Sequence, residues 1–95
     1  MKVIELIQKK YIYTINIDKI VSIEFDKDNN VIKIYTVDDS VFIIEGKSFP
    51  VELFATIEEE SIKDKFDDIK ELYDTIVDYV SITVDEINKM VIDNS

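Results

Sequence analysis

Cysteine, histidine, arginine and tryptophan are all missing from this 95-residue chain, and glycine and proline occur once each. Without cysteine there is no disulfide framework, no thiolate nucleophile and no dependence on redox compartment. Without histidine the usual proton shuttle near neutral pH is gone, and with it the commonest metal ligand. The eleven cations are therefore all lysine, so the planar fork that grips phosphate in two places is unavailable. No long apolar run is present either. The opening "MKVIELIQKK" breaks its few apolar residues with Glu5, Lys9 and Lys10, too short a stretch for a signal-peptide core or a membrane span. These absences lead us to expect a cytoplasmic protein, with no cofactor, no metal and no enzymatic activity.

What is present is apolar and acidic. A hydrophobic share of 46% supports one folded domain over residues 1–95. The net charge of -10 is unevenly spread. Residues 1–47 carry seven lysines against eight carboxylates, whereas residues 48–95 carry four against thirteen. Such a field repels nucleic acid and anionic membranes, so the partner it suits is basic.

The first half alternates in the manner of strands. Tyr11, Tyr13, Ile15 and Ile17 fall on one side and Ile12, Thr14 and Asn16 on the other. Val3–Ile7 reads as an opening strand, and Ile20–Phe25, Val31–Val37 and Val41–Glu45 continue the pattern. "DKDNN" (Asp26 to Asn30) and "DDS" (Asp38 to Ser40) read as turns, since Asp and Asn tolerate left-handed backbone. "DKDNN" also begins like a calcium loop, but Val31 and Val37 stand where that loop requires glycine and a bidentate glutamate. A hairpin connection is the better reading.

Beyond Gly46 the pattern suggests helices. Ser48–Ile57 can turn Phe49, Leu53, Phe54 and Ile57 to one side, with Pro50 near the start where its missing N–H costs little. A break is expected at Glu58–Ser61, where Ser61 and Asp64 resemble a capping box. A helix over Ile62–Val80 follows from Ile62, Phe66, Ile69, Tyr73, Ile76 and Val80, widened by Leu72 and Val77. Thr83 with Glu86, and Ile82 with Ile87, predict a short last helix over Val84–Ile92. The expected fold is α+β: an antiparallel β-meander of four to five strands over 1–47, then an acidic part over 48–95 with two or three helices packed on one face.

On a helical wheel Glu60, Asp64, Asp67, Glu71, Asp74 and Asp78 fall within about 40° of one line, a row about 27 Å long. Asp68 flanks it, while Lys63 and Lys70 lie on one side. The like-charged pairs Glu60/Asp64, Asp64/Asp68, Asp67/Glu71 and Asp74/Asp78 would cost roughly 1 to 2 kcal/mol in total. A solvated polar back accounts for the row simply. The alternative is a partner-binding surface in which these carboxylates stand in for the phosphates of a nucleic-acid strand and enter a basic groove. Tyr11, Tyr13 and Tyr35 could stack on bases, but a near-neutral half lacks the electrostatic component of single-strand binding. The paired carboxylates Asp67/Asp68 and Asp38/Asp39 are adjacent in sequence and expected to be exposed, which argues against a hydrolytic site.

Ile15 to Gly46 resembles the small flagellar FlbD-type family. The shared features are Asn16 closing a strand, the step Ile20, Ile23, Glu24, a polar turn, and a strand pair feeding a helix. Asp38-Asp39 replaces the Asn-Gly turn usual there, and the acidic half has no counterpart. The resemblance implies a non-enzymatic structural or regulatory adaptor, as a monomer or a homodimer. In size, acidity and build the chain is also similar in character to phage-encoded anti-CRISPR and anti-restriction proteins, several of which imitate DNA. That similarity implies an inhibitor in a bacterial host cell, bound to the basic groove of a nuclease or other nucleic-acid-binding protein and not itself binding nucleic acid or membrane. The abundance of Ile, Lys, Asp and Asn suits an AT-rich bacterium or its phage.

Overall fold

The computed structural model describes the backbone of residues 2–93 and the side chains of residues 2–81. Within it, seven strands form two antiparallel sheets, followed by one helix. The first sheet has the order β2-β1-β6-β7, from Ile12–Asn16, Lys2–Ile7, Val51–Ile57 and Glu60–Phe66. The second is β3-β4-β5, from Ile20–Asp26, Val31–Thr36 and Val41–Glu45. Helix α1 spans Ile69–Asp93.

Alternation decides which side chains enter the core. In β1, Ile4 and Leu6 are buried between Ile15 and Tyr13 of β2 and Ala55 and Leu53 of β6, while Glu5 faces solvent. In the second sheet Ile32 and Ile34 are buried opposite Phe25 and Ile23 of β3 and Ile44 and Phe42 of β5. The chain leaves the first sheet after β2 through a 3-10 turn at Ile17–Lys19, where the Asn16 side chain accepts a hydrogen bond from the Asp18 N–H at 3.0 Å. It returns through a second such turn at Gly46–Ser48 and the cis Phe49–Pro50 peptide. One core joins both sheets to Ile69, Leu72 and Ile76 of α1. Two ring pairs tie the layers: Tyr13 of β2 edge-on to Phe42 of β5 at 5.3 Å, and Phe25 of β3 stacked on Tyr73 of α1 at 5.4 Å.

The expected meander followed by two or three helices is overturned. Only β3-β4-β5 forms a meander, because β1 pairs on its other side with β6, some fifty residues along the chain. Ser48–Ile57 supplies that strand and not a helix. Val51, Leu53 and Ala55 alternate into the core, and Leu53 serves a strand face as well as it would a helical one. The helix placed at Ile62–Val80 is also corrected. Its first turns are β7, and Ser61 pairs with Thr56 instead of capping. The break at Glu58–Ser61 is the β6–β7 turn, with Glu58 at φ 58°.

Opposed side chains explain why this segment pairs. Lys65 stands across from Glu52, and Lys63 across from Phe54, with its ammonium 5.2 Å from the ring centroid. The helix begins instead after Asp68, whose carbonyl accepts the Leu72 N–H at 3.3 Å and whose carboxylate accepts the Lys70 N–H at 3.4 Å. It then runs without a break through Thr83, so the separate last helix at Val84–Ile92 is part of α1. The side chains of its proposed capping box and staple lie outside the described residues.

Candidate functional site

The acidic row does not lie along one helix. Glu60 and Asp64 stand on β7, four residues apart and so on the same face of a strand. Asp67 and Asp68 occupy the bend before α1, and Glu71, Asp74 and Asp78 follow along the helix. On α1 these last three span about 60° of the wheel, opposite the buried Leu72 and Ile76. The straight 27 Å rod is thus replaced by a band that changes direction at Asp67 and Asp68.

All seven carboxylates are exposed. Among the described residues, Asp74 alone of the seven has a cationic partner, the Lys70 ammonium at 2.5 Å one helical turn away. Two others are engaged by backbone: Asp68 caps α1, and Asp64 accepts the Lys65 N–H at 2.8 Å. Asp64 of the strand half lies close enough to Tyr79 of α1 for its charge to act on the phenol. Burial first, and the nearby Asp64 charge second, push that phenol above the ordinary tyrosine value. From Glu58 to Asp78 the chain holds nine carboxylates and three lysines, so the excess survives folding as a surface property.

The other carboxylate pair named from sequence, Asp38 and Asp39, shapes the β4–β5 turn. Asp38 accepts the Thr36 hydroxyl at 2.5 Å, which holds its carboxyl below the usual value, and Asp39 adopts φ 66°. Asp26 likewise organises the β3–β4 turn. Its carboxylate accepts the Asn29 side-chain amide at 2.7 Å and the Asn29 and Asp28 N–H groups at 3.1 Å, and those bonds depress its pKa. Tyr35 donates to Glu24 at 2.5 Å across the outer face of the second sheet, which raises its phenol pKa. Among the described residues, no group of three or more potential ligands could hold a metal ion.

Sequence reasoning missed one cavity. About 590 Å³ in volume, it opens between the β1–β2 turn and the end of β5, and Gln8, Lys9, Lys10, Tyr11 and Lys47 are among its walls. Lys47 lies 36 residues beyond Tyr11, so no local pattern joins them. No protein-family model matches the chain, and no curated protein or solved structure does. Among the described residues no helix is long and apolar enough to cross a membrane.

Proposed function

We propose that this protein binds a basic protein partner through the band from β7 to the back of α1, and that it acts as an inhibitor of anti-CRISPR or anti-restriction type. The band would occupy a groove built for a nucleic-acid strand. One observation carries the reading: seven carboxylates from Glu60 to Asp78 are exposed together, and only Asp74 has a lysine partner among the described residues. Like charges so placed oppose folding rather than aid it. Along α1 the steps from Glu71 to Asp74 and Asp78 are about 4.5 and 6 Å of axis, against about 3.4 Å between phosphates of one strand. The resemblance to a polyanion is therefore one of sign and of a regular row of charges, rather than of exact spacing or shape.

The test is a cleavage assay. A panel of RNA-guided and restriction nucleases is incubated with the protein before DNA is added, alongside a variant carrying Asp67→Lys, Glu71→Lys and Asp78→Lys. Inhibition that weakens at raised salt and disappears in the variant, with circular dichroism unchanged, supports the proposal. Inhibition untouched by reversal removes the band from it.

A second reading, a non-enzymatic adaptor of FlbD-like type, draws on the apolar side chains left in solvent. Ile12, Val21 and Val41 are each about half or more exposed, and β7 is an open sheet edge. An adaptor of this kind would lose its partner on Ile12→Ser with Val41→Ser and keep it on charge reversal.

A further inference from the structure

The cavity beside the β1–β2 turn has the opposite character to the acidic band, and it lies at the other edge of the same sheet. β2 and β7 are the two edge strands, with β1 and β6 between them, which separates the two surfaces by roughly 14 Å at ordinary strand spacing. The turn itself is closed by the Gln8 N–H donating to the Tyr11 carbonyl at 2.9 Å, which leaves Lys9 and Lys10 at its tip. From the other side comes Lys47, in the 3-10 turn after β5, with its ammonium 3.0 Å from the Glu45 carboxylate. Three of the eleven lysines of a strongly acidic chain thus line one cavity.

Two further features say what these cations surround. Tyr11 and Tyr13 stack, with centroids 6.1 Å apart and planes 12° from parallel, and Tyr11 remains 60% exposed. The stack therefore ends in an exposed ring that belongs to the cavity walls. Gln8, which lines the same cavity, is only 9% exposed, yet its side-chain nitrogen is buried without a hydrogen-bond partner. Burying an amide donor unpaired costs about 1 to 3 kcal/mol, so a native protein keeps such a group where something completes it. Among the described residues nothing accepts from those two N–H donors.

We propose that the cavity is a binding site for a small nucleoside phosphate. The base stacks on the exposed ring of Tyr11, and the Gln8 side chain turns outward from its buried position so that its amide donates to one of the base's ring or carbonyl acceptors. The phosphate sits against Lys9 and Lys10 at the turn, with Lys47 completing the cationic rim. Glu45, held by Lys47, is the acceptor for a ribose hydroxyl or an exocyclic amine. The volume suits a molecule of that size, within the ~300 to 1,000 Å³ usual for small-ligand sites. A polynucleotide is disfavoured, because a chain extending from the cavity would meet the field of a molecule carrying -10. This site stands independently of the acidic band.

The experiment is a titration of the full chain with each of the four common nucleoside 5′-monophosphates, following backbone amide shifts by NMR and heat by calorimetry. Parallel arms use the nucleosides alone, inorganic phosphate and a short single-stranded oligonucleotide. Saturable shifts confined to residues 8–13 and 43–48 with at least one mononucleotide, and weaker binding by its nucleoside and by phosphate, support the site. Lys9→Ala with Lys10→Ala, and separately Gln8→Leu, should each weaken binding about tenfold, the scale of one charge-assisted or one buried hydrogen bond. Gln8→Leu should at the same time raise the melting temperature, since it removes the unpaired donor, so lost binding is not mistaken for lost folding. No shift at millimolar nucleotide, equal binding of inorganic phosphate, tighter binding of the oligonucleotide, or undiminished binding by Gln8→Leu would each overturn the proposal.

Discussion

Gly46 lies against Asn30 so closely that a side chain on the glycine would overlap it. The Gly46 N–H donates to the Asn30 carbonyl at 2.8 Å, and a Cβ at Gly46 would fall 1.9 Å from the Asn30 side-chain nitrogen and 3.2 Å from its carbonyl oxygen. Asn30 itself takes φ 57° to close the β3–β4 turn. The chain's one glycine thus docks the end of β5 onto the neighbouring hairpin, a role that its place at the end of a strand pattern does not announce.

Gly46→Ala should cost up to about 1 kcal/mol in a denaturant titration, because the exposed Asn30 side chain must give up its place to the added carbon. Adding Asn30→Gly should restore most of that loss. Glycine accepts the left-handed backbone at position 30 and removes the obstructing amide, so the two changes should be non-additive.

Asp39 holds φ 66° at the β4–β5 turn with Asp38 beside it. Asp39→Gly is expected to raise stability by about 0.5 kcal/mol, relief of the left-handed backbone slightly exceeding the entropy lost by glycine. Asp39→Val at the same place should lower it by about 1 to 2 kcal/mol, as a branched side chain tolerates that backbone poorly. Chemical denaturation of the three proteins side by side gives the order.

The two faces of α1 should respond differently. Leu72→Ala removes a fully buried side chain from the shared core and should cost about 2 to 5 kcal/mol. Asp78→Ala on the opposite face should change stability by no more than about 0.5 kcal/mol. Equal effects in thermal melts would show that the helix is turned about its axis from the arrangement described.

Acid should loosen both turns of the second sheet. The Asp26 and Asp38 carboxyls are held below their usual value by hydrogen bonds that only the folded chain makes. Such groups add stability above the unfolded carboxyl value of 3.8, and that contribution is lost as pH falls through the lower folded value. Asp26→Ala with Asp38→Ala should flatten the stability profile in that window, which denaturant melts at stepped pH would record. At the alkaline end Tyr35 behaves in the opposite sense. Its phenol is raised above 10.0 by its bond to Glu24, so its contribution is present below that pH and fades as pH rises through the folded value. Tyr35→Phe should remove that part of the decline.

The strands of the first forty-five residues, their alternation and the turns at Asp26–Asn30 and Asp38–Ser40 were all legible in the chain, because each rests on neighbours within a few residues. The acidic excess of the second half was legible too, being a matter of composition. Tertiary structure decided the rest. Ile62 and Phe66 are four residues apart, an interval that lands on one face of a helix and equally on one face of a strand, and only the presence of β6 alongside makes the strand the lower-energy choice. The same pairing bent the carboxylate row, while the division of the strands between two sheets placed Lys47 across a cavity from Tyr11. Contacts between residues dozens of positions apart depend on which surfaces must be covered together, and no short window of sequence holds that information.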